Sequence, residues 1–309
     1  MAKYAIRRLL ALLPVFLVVT VIVFLLIHLV PGDPIDNLMR SGSDPAQRDA
    51  LSRAYGLDRS LVEQYLAWMG HLVRGDLGTA IVQRRPVAEL IGENIGYSLA
   101  LGGLALAFSA IVGIVAGVTA ASFQDRVADR ALMSLALVGS TVPSFWLGLL
   151  MILFFAVQLG WVPVSGARHW TSVILPATTV GLAGMALVAR VTRIAMIETA
   201  RQDFVTLLHA KGVSRFTIQT RHLLRHALVP VLTLLSLRIG LIVGGSVTVE
   251  YVFARPGLGS LLIRAIGQRD YPVIQGSLLM LAIAVMLGTL VGDLLQAAMD
   301  PRQREDDRS

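Results

Sequence analysis

Six stretches of more than twenty mostly apolar residues divide this chain of 309. They cover 9–30, 97–121, 131–157, 173–196, 227–252 and 274–298. An α-helix rises about 1.5 Å per residue, so about 20 apolar residues carry it across the hydrocarbon of a bilayer. Backbone amides and carbonyls in lipid must bond to one another, which at these lengths means helices. The pattern predicts an all-α integral membrane protein with six transmembrane helices. Composition agrees, with 55% hydrophobic and 15% charged residues and a mean hydropathy of +0.70. A soluble domain carries about 25% charged residues. The first stretch follows Lys3, Arg7 and Arg8, as a signal peptide would. Its apolar run is too long for one, and no small-residue cleavage pattern follows, so it reads as a retained span.

Basic residues assign the sides. With the N-terminus inside, the inner segments hold Lys3, Arg7, Arg8, Arg126, Arg130, Arg201, Lys211, Arg215, Arg221, Arg225, Arg302, Arg304 and Arg308, and Arg190 and Arg193 end the fourth span. The short outer loops hold Arg168, Arg255, Arg264 and Arg269. Both termini are therefore expected in the cytoplasm. Trp161, Trp170, Tyr97 and Tyr251 fall at the outer span ends, where amphipathic rings favour the interface. The expected organisation is an N-terminal span with a long extracytoplasmic segment (1–96), a five-helix core (97–298) with a cytoplasmic loop at 197–228, and a tail (299–309).

Several chemistries are excluded. Without cysteine there is no disulfide, thiolate metal site or cysteine nucleophile. The two lysines precede Tyr4 and Gly212, whereas a phosphate-binding P-loop needs Lys before Ser or Thr. His222 and His226 have metal-ligand spacing, but Leu223 stands where a zinc protease needs Glu. No Gly-x-Ser-x-Gly elbow occurs. The formal net charge of +7 sets topology here rather than nucleic-acid binding. No catalytic residue, metal or cofactor is expected on this chain.

Two polar segments carry helical signals. Ser60 and Glu63 form a capping box ahead of Leu61, Tyr65, Trp68, Met69, Leu72 and Val73, and Gly75 supplies a left-handed stop. Between the fourth and fifth spans, Asp203 to Lys211 reads as one helix, with Phe204, Leu207, Leu208 and Lys211 on one face. Gly212 breaks it, Ser214 caps the next, and Phe216, Thr220, Leu223, Leu224, Ala227 and Leu228 share a buried side. A basic helical elbow with apolar knuckles suits a groove on a soluble partner; a solvated re-entry helix has the same pattern.

The segment Asp203 to Gly212, followed by Arg221-His222-Leu223-Leu224-Arg225-His226-Ala227-Leu228-Val229-Pro230, resembles the coupling loop of ABC-importer permeases. Pro31-Gly32-Asp33-Pro34, Gly75-Asp76-Leu77-Gly78, Phe253-Ala254-Arg255-Pro256-Gly257-Leu258-Gly259 and Arg269-Asp270-Tyr271-Pro272-Val273-Ile274 extend the likeness over nearly the whole chain. They narrow it to the B-type permease of the dipeptide/oligopeptide/nickel family. The resemblance implies a type I ABC importer permease fold in a bacterial inner membrane. It also implies a homologous second permease subunit, two ATPase subunits that use ATP and Mg, and an extracytoplasmic solute-binding protein. Coupling to the ATPase would fall to Thr206, Leu207, Leu208, Ala210, Lys211, Gly212, Val213 and Ser214. Thr206, Leu207 and Leu208 stand where the general permease motif has Glu-Ala-Ala.

The expected cargo is a dipeptide or oligopeptide, with nickel or a glutathione-type peptide as alternatives in the same family. A secondary transporter driven by ions is the rival of a different class, and would need acids or broken helices at the midplane. Candidates for the path are Ser140, Thr141 and Ser144, flanking Pro143, and the ionisable Arg238 and Glu250 within the fifth span. Asp293 is expected to make a structural contact with a basic inner segment.

Overall fold

The computed structural model describes residues 2–29 and 58–299. Pro31-Gly32-Asp33-Pro34 and the tail beyond Asp300 lie outside the described residues. Helix α1 (Ala2–Leu29) is followed by α2 (Leu61–Val73), whose start is the capping box: Ser60 N donates to Glu63 Oε2 at 3.0 Å, and Glu63 N donates to Ser60 Oγ at 3.4 Å. Its end is a left-handed Gly75, with Asp76 N on His71 O and Gly75 N on Leu72 O. That is a Schellman turn, which satisfies carbonyls the helix leaves open.

The longest helix, α3 (Val87–Ser122), has 36 residues. At about 54 Å it exceeds a hydrocarbon thickness of about 30 Å, and its apolar stretch begins only at Tyr97. The third apolar stretch, expected as one helix, is two: α4 (Val127–Thr141) and α5 (Ser144–Met151), the latter continued by a π turn at Ile152–Gln158. They are bent by 106° at Val142 and Pro143. Pro143 brings no N–H to the helix, and the residue before a proline is pushed into extended backbone, as Val142 is at φ −72°, ψ 130°. After a 3-10 turn at Trp170–Val173 comes α6 (Ile174–Ala200).

The elbow is α7 (Asp203–Ala210) and α8 (Arg215–Thr217), which runs through a π turn at Ile218–Leu223 into α9 (Leu224–Gly245). The fifth span therefore begins before its apolar stretch and stops short of its end. The remainder forms a separate α10 (Val247–Val252), then α11 (Leu258–Gln268) and α12 (Tyr271–Met299). Among the described residues, five helices are long and apolar enough to cross a membrane, six if the bent pair is one span.

Close packing holds the centre together. At Gly117, an added Cβ would lie 2.5 Å from Ala189 O on α6; at Gly113 it would lie 2.7 Å from Val188 Cβ. These two glycines of α3, one helical turn apart, let the two backbones approach. Helix α1 packs along α12, where Arg8 pairs with Asp293 at 3.4 Å. Helix α2 folds back onto α1: Tyr65 OH bonds Thr20 Oγ1 at 2.9 Å, and Phe24 meets the rings of Tyr65 and Trp68. Leu9, Leu10, Leu13, Leu17 and Leu25 of α1 stay exposed, as lipid-facing positions do.

Candidate functional site: elbow, bend and buried charges

The elbow is built by backbone geometry. Gly212 has φ 75°, and Gly212 N and Val213 N donate to His209 O and Leu208 O in a second Schellman turn. Ser214 Oγ accepts from Thr217 N at 3.2 Å and so caps α8. Met196, Val205, Ile218, Leu223 and Ala227 are buried together beneath it, with Phe204, Leu208 and Val213 packed against them. Thr206, Leu207, Ala210, Lys211, Gly212 and Ser214 lie exposed around the turn.

Two details of this face differ from the sequence pattern. Leu207 points away from the core that Phe204 and Leu208 join. Phe216 and Thr220, placed on the buried side by their spacing, are exposed, Phe216 to 75%, while Ile218 is 2% exposed. The cause is the π turn: its wider repeat inserts residues and rotates everything before it relative to α9. The elbow thus presents two apolar knuckles, Leu207 and Phe216, on either side of Gly212. His226 rests on the Phe204 ring at 5.4 Å between centroids, and no cluster of three potential metal ligands occurs among the described residues.

At the bend, Ser140 Oγ donates to Leu137 O and Thr141 Oγ1 to Val138 O. Both hydroxyl protons return to their own helix, and both side chains are exposed. Ser144, half-buried, opens α5 just beyond.

Arg238 lies on α9, half-buried, against α3 and α6. A Cβ on Gly184 would run into its Nη1 and into Ser109 Oγ. Ser109 and Gly184 sit near the middle of their apolar stretches, so the guanidinium is placed at mid-depth. No hydrogen bond or ion pair holds it among the described residues. A cation at the bilayer centre costs about 2.5–3.5 kcal/mol on insertion scales, so it belongs to a wet or polar surface.

Glu250, placed on the path by its position in the apolar stretch, is fully buried. Its carboxylate accepts from Gly259 N at 2.8 Å, Ser260 N at 3.3 Å and Ser246 Oγ at 3.2 Å. Gly257 N donates to Asn94 Oδ1 and Leu258 N to Ser98 Oγ, so the leading amides of α11 all find side-chain acceptors. A helix start leaves four amides open and carries partial positive charge, which is what these groups answer. Arg255, 6% exposed, lies over the Tyr97 ring at 5.6 Å.

Sequence reasoning missed Asn94 and Ser98, because only the fold brings α3 beneath α11. It also missed Asp270, which is 1% exposed and accepts from Ile81 N and Val82 N. That contact ties the strap after α2 to the α11–α12 junction and brings two separately noted motifs together, with Gly78 facing Pro272. Within the strap, hydrogen bonds from Gly78 N and His71 hold the Asp76 carboxyl below the usual aspartate range. A further omission is Asp129 of α4. It takes Arg193 of α6 in a two-pronged pair, both distances 2.6 Å, and also accepts from Asp125 N. The available signal was an acid and a base near span ends on the same predicted side.

Residues 113–305 match the family described as binding-protein-dependent transport system inner membrane component. Residues 1–94 match the N-terminal family of such membrane components. The glutathione transport system permease protein GsiC of Escherichia coli O6:H1 (strain CFT073) is 40% identical over 304 residues, covering 98% of this chain and 99% of the relative. GsiC of Shigella flexneri serotype 5b (strain 8401) is 39% identical over the same length. Among solved structures, the inward-facing MetNI methionine ABC transporter aligns with TM-score 0.57 at 21% identity, covering 69% of this chain and 97% of that one. An amino acid ABC transporter solved with histidines aligns with TM-score 0.52 at 14% identity, covering 68% and 94%. At these identities the two structures show a shared fold. The full-length likeness and the family matches show that the chain belongs to the binding-protein-dependent transport system inner membrane components, as a multi-pass ABC-importer permease of the bacterial inner membrane.

Proposed function

We propose that this chain forms half of the membrane path of an ATP-driven importer of dipeptides and oligopeptides, glutathione among them. The relatives' name supports the glutathione-type cargo. Its working partners would be a homologous second permease, two ATPase subunits that bind ATP and Mg, and an outer solute-binding protein. Both termini and the elbow would lie in the cytoplasm.

The observation that carries the reading is the elbow. Leu207 and Phe216 stand exposed on a turn fixed by Gly212, and the chain on both sides of that turn is locked into the bundle through Val205 and Ile218. A partner groove that grips Thr206 to Ser214 and moves would therefore move α6 and α9 with it. Nucleotide-driven closure of the ATPases would rock the spans outward, and hydrolysis with product release would return them. Ser140, Thr141, Ser144 and Arg238 would line the path. Glu250, buried beneath α11, would serve it by holding the wall.

The test is uptake of radiolabelled Ala-Ala and glutathione into proteoliposomes holding the whole assembly. Uptake is expected only with ATP, both ATPases and the binding protein. Uptake driven by an ion gradient without the ATPases would overturn the reading.

A further inference from the structure

We propose that Arg238 is a carboxylate-binding station halfway along the path, which takes the free α-carboxylate of a peptide as it crosses. The inference rests on the peptide-import reading and adds to it a point of contact and a preferred charge. Three observations converge. The Arg238 guanidinium lies at mid-depth where α3, α6 and α9 meet, in space that the missing side chain of Gly184 leaves beside Ser109. The two acids in the apolar stretches of α9 to α12 are both engaged elsewhere: Asp293 with Arg8, and Glu250 with the amides of α11. The cation is also half-buried rather than sealed in the core, so an incoming group has access.

A guanidinium in this setting suits one class of partner. Its planar fork of N–H donors matches a carboxylate with two parallel bonds, and low surrounding polarity strengthens them. A fixed positive charge at the same place opposes a bare divalent cation, so the charge favours peptides over free nickel ion. Binding at a single half-open group is also weak enough to release, which a transit site requires. An acid supplied by the second permease is the competing occupant.

The experiment uses the assembled transporter in proteoliposomes, with R238Q and R238K, and with Ala-Ala and its C-terminal amide as probes. Size-exclusion of the purified assembly and stimulation of its ATPase by the binding protein confirm that each variant is intact. R238Q is expected to slow Ala-Ala uptake about tenfold or more while changing amide uptake less than about twofold, the scale of one charge-assisted contact. R238K, which keeps the charge without the fork, should fall between. Should the amide not enter wild-type vesicles, R238K exceeding R238Q for Ala-Ala supports the station, and equality overturns it. Equal loss of both probes in R238Q, or loss of assembly restored by a reciprocal acid-to-base change in the second permease, assigns Arg238 to an intersubunit pair and overturns the proposal. Unchanged uptake of both also overturns it. A wild-type assembly that hydrolyses ATP yet imports neither probe overturns the peptide reading itself, and the station with it.

Discussion

Gly212 and Glu250 show how much single residues decide. At φ 75°, Gly212 occupies backbone that a side chain penalises by about 1–2 kcal/mol, more for a β-branched one. Gly212→Val is therefore expected to leave membrane insertion intact but disturb the turn between Leu207 and Phe216. Binding-protein-stimulated hydrolysis should uncouple from uptake; unchanged coupling in reconstituted vesicles would contradict the elbow. Glu250→Ala removes the acceptor for Gly259 N and Ser260 N in a fully buried place. Leaving such donors bare costs about 1–3 kcal/mol each. The variant should melt well below the parent in detergent, and Glu250→Gln, which keeps one acceptor oxygen, should lose less. Equal melting of all three would remove Glu250 from its place as anchor of α11.

At the scale of elements, the bent pair α4–α5 and the elbow illustrate two ways in which a helix departs from its apolar run. Proline explains the first. Pro143→Ala restores an N–H and relieves the restriction on Val142, so the 106° bend should open. Spin labels on Ser134→Cys and Leu150→Cys should move toward the about 24 Å of a straight helix. A distance that stays put would assign the bend to packing, such as that of Gly148 against Phe253. The second departure has no proline. The π turn at Ile218–Leu223 shifts phase without a breaker residue, so a fixed helical repeat assigned Phe216 to the wrong side. The caps, in contrast, were legible. Ser60 with Glu63, Gly75, Gly212 and Ser214 act within a few residues of themselves, and local geometry is all they need.

For the whole molecule, the absence of cysteine makes topology directly measurable. Single cysteines at Ala210 and Arg264 should react with an impermeant maleimide from opposite sides, Ala210 only in inverted vesicles. Labelling of Ala210 from outside would invert the assignment of sides and detach the elbow from any cytosolic ATPase. The apolar stretches, the polar elbow and the family motifs were all readable in one dimension. They follow from lipid as solvent and from turn chemistry, which act along the chain. What the tertiary structure alone decided is which polar groups meet. Asn94 and Ser98 reach the start of α11 across some 160 residues of chain, Asp270 reaches Ile81, and Asp129 grips Arg193. The same packing engages Glu250, Asp270 and Asp293 and leaves Arg238 beside a glycine gap. A buried charge is defined by its partner, and distance in space, which no local pattern encodes, selects that partner.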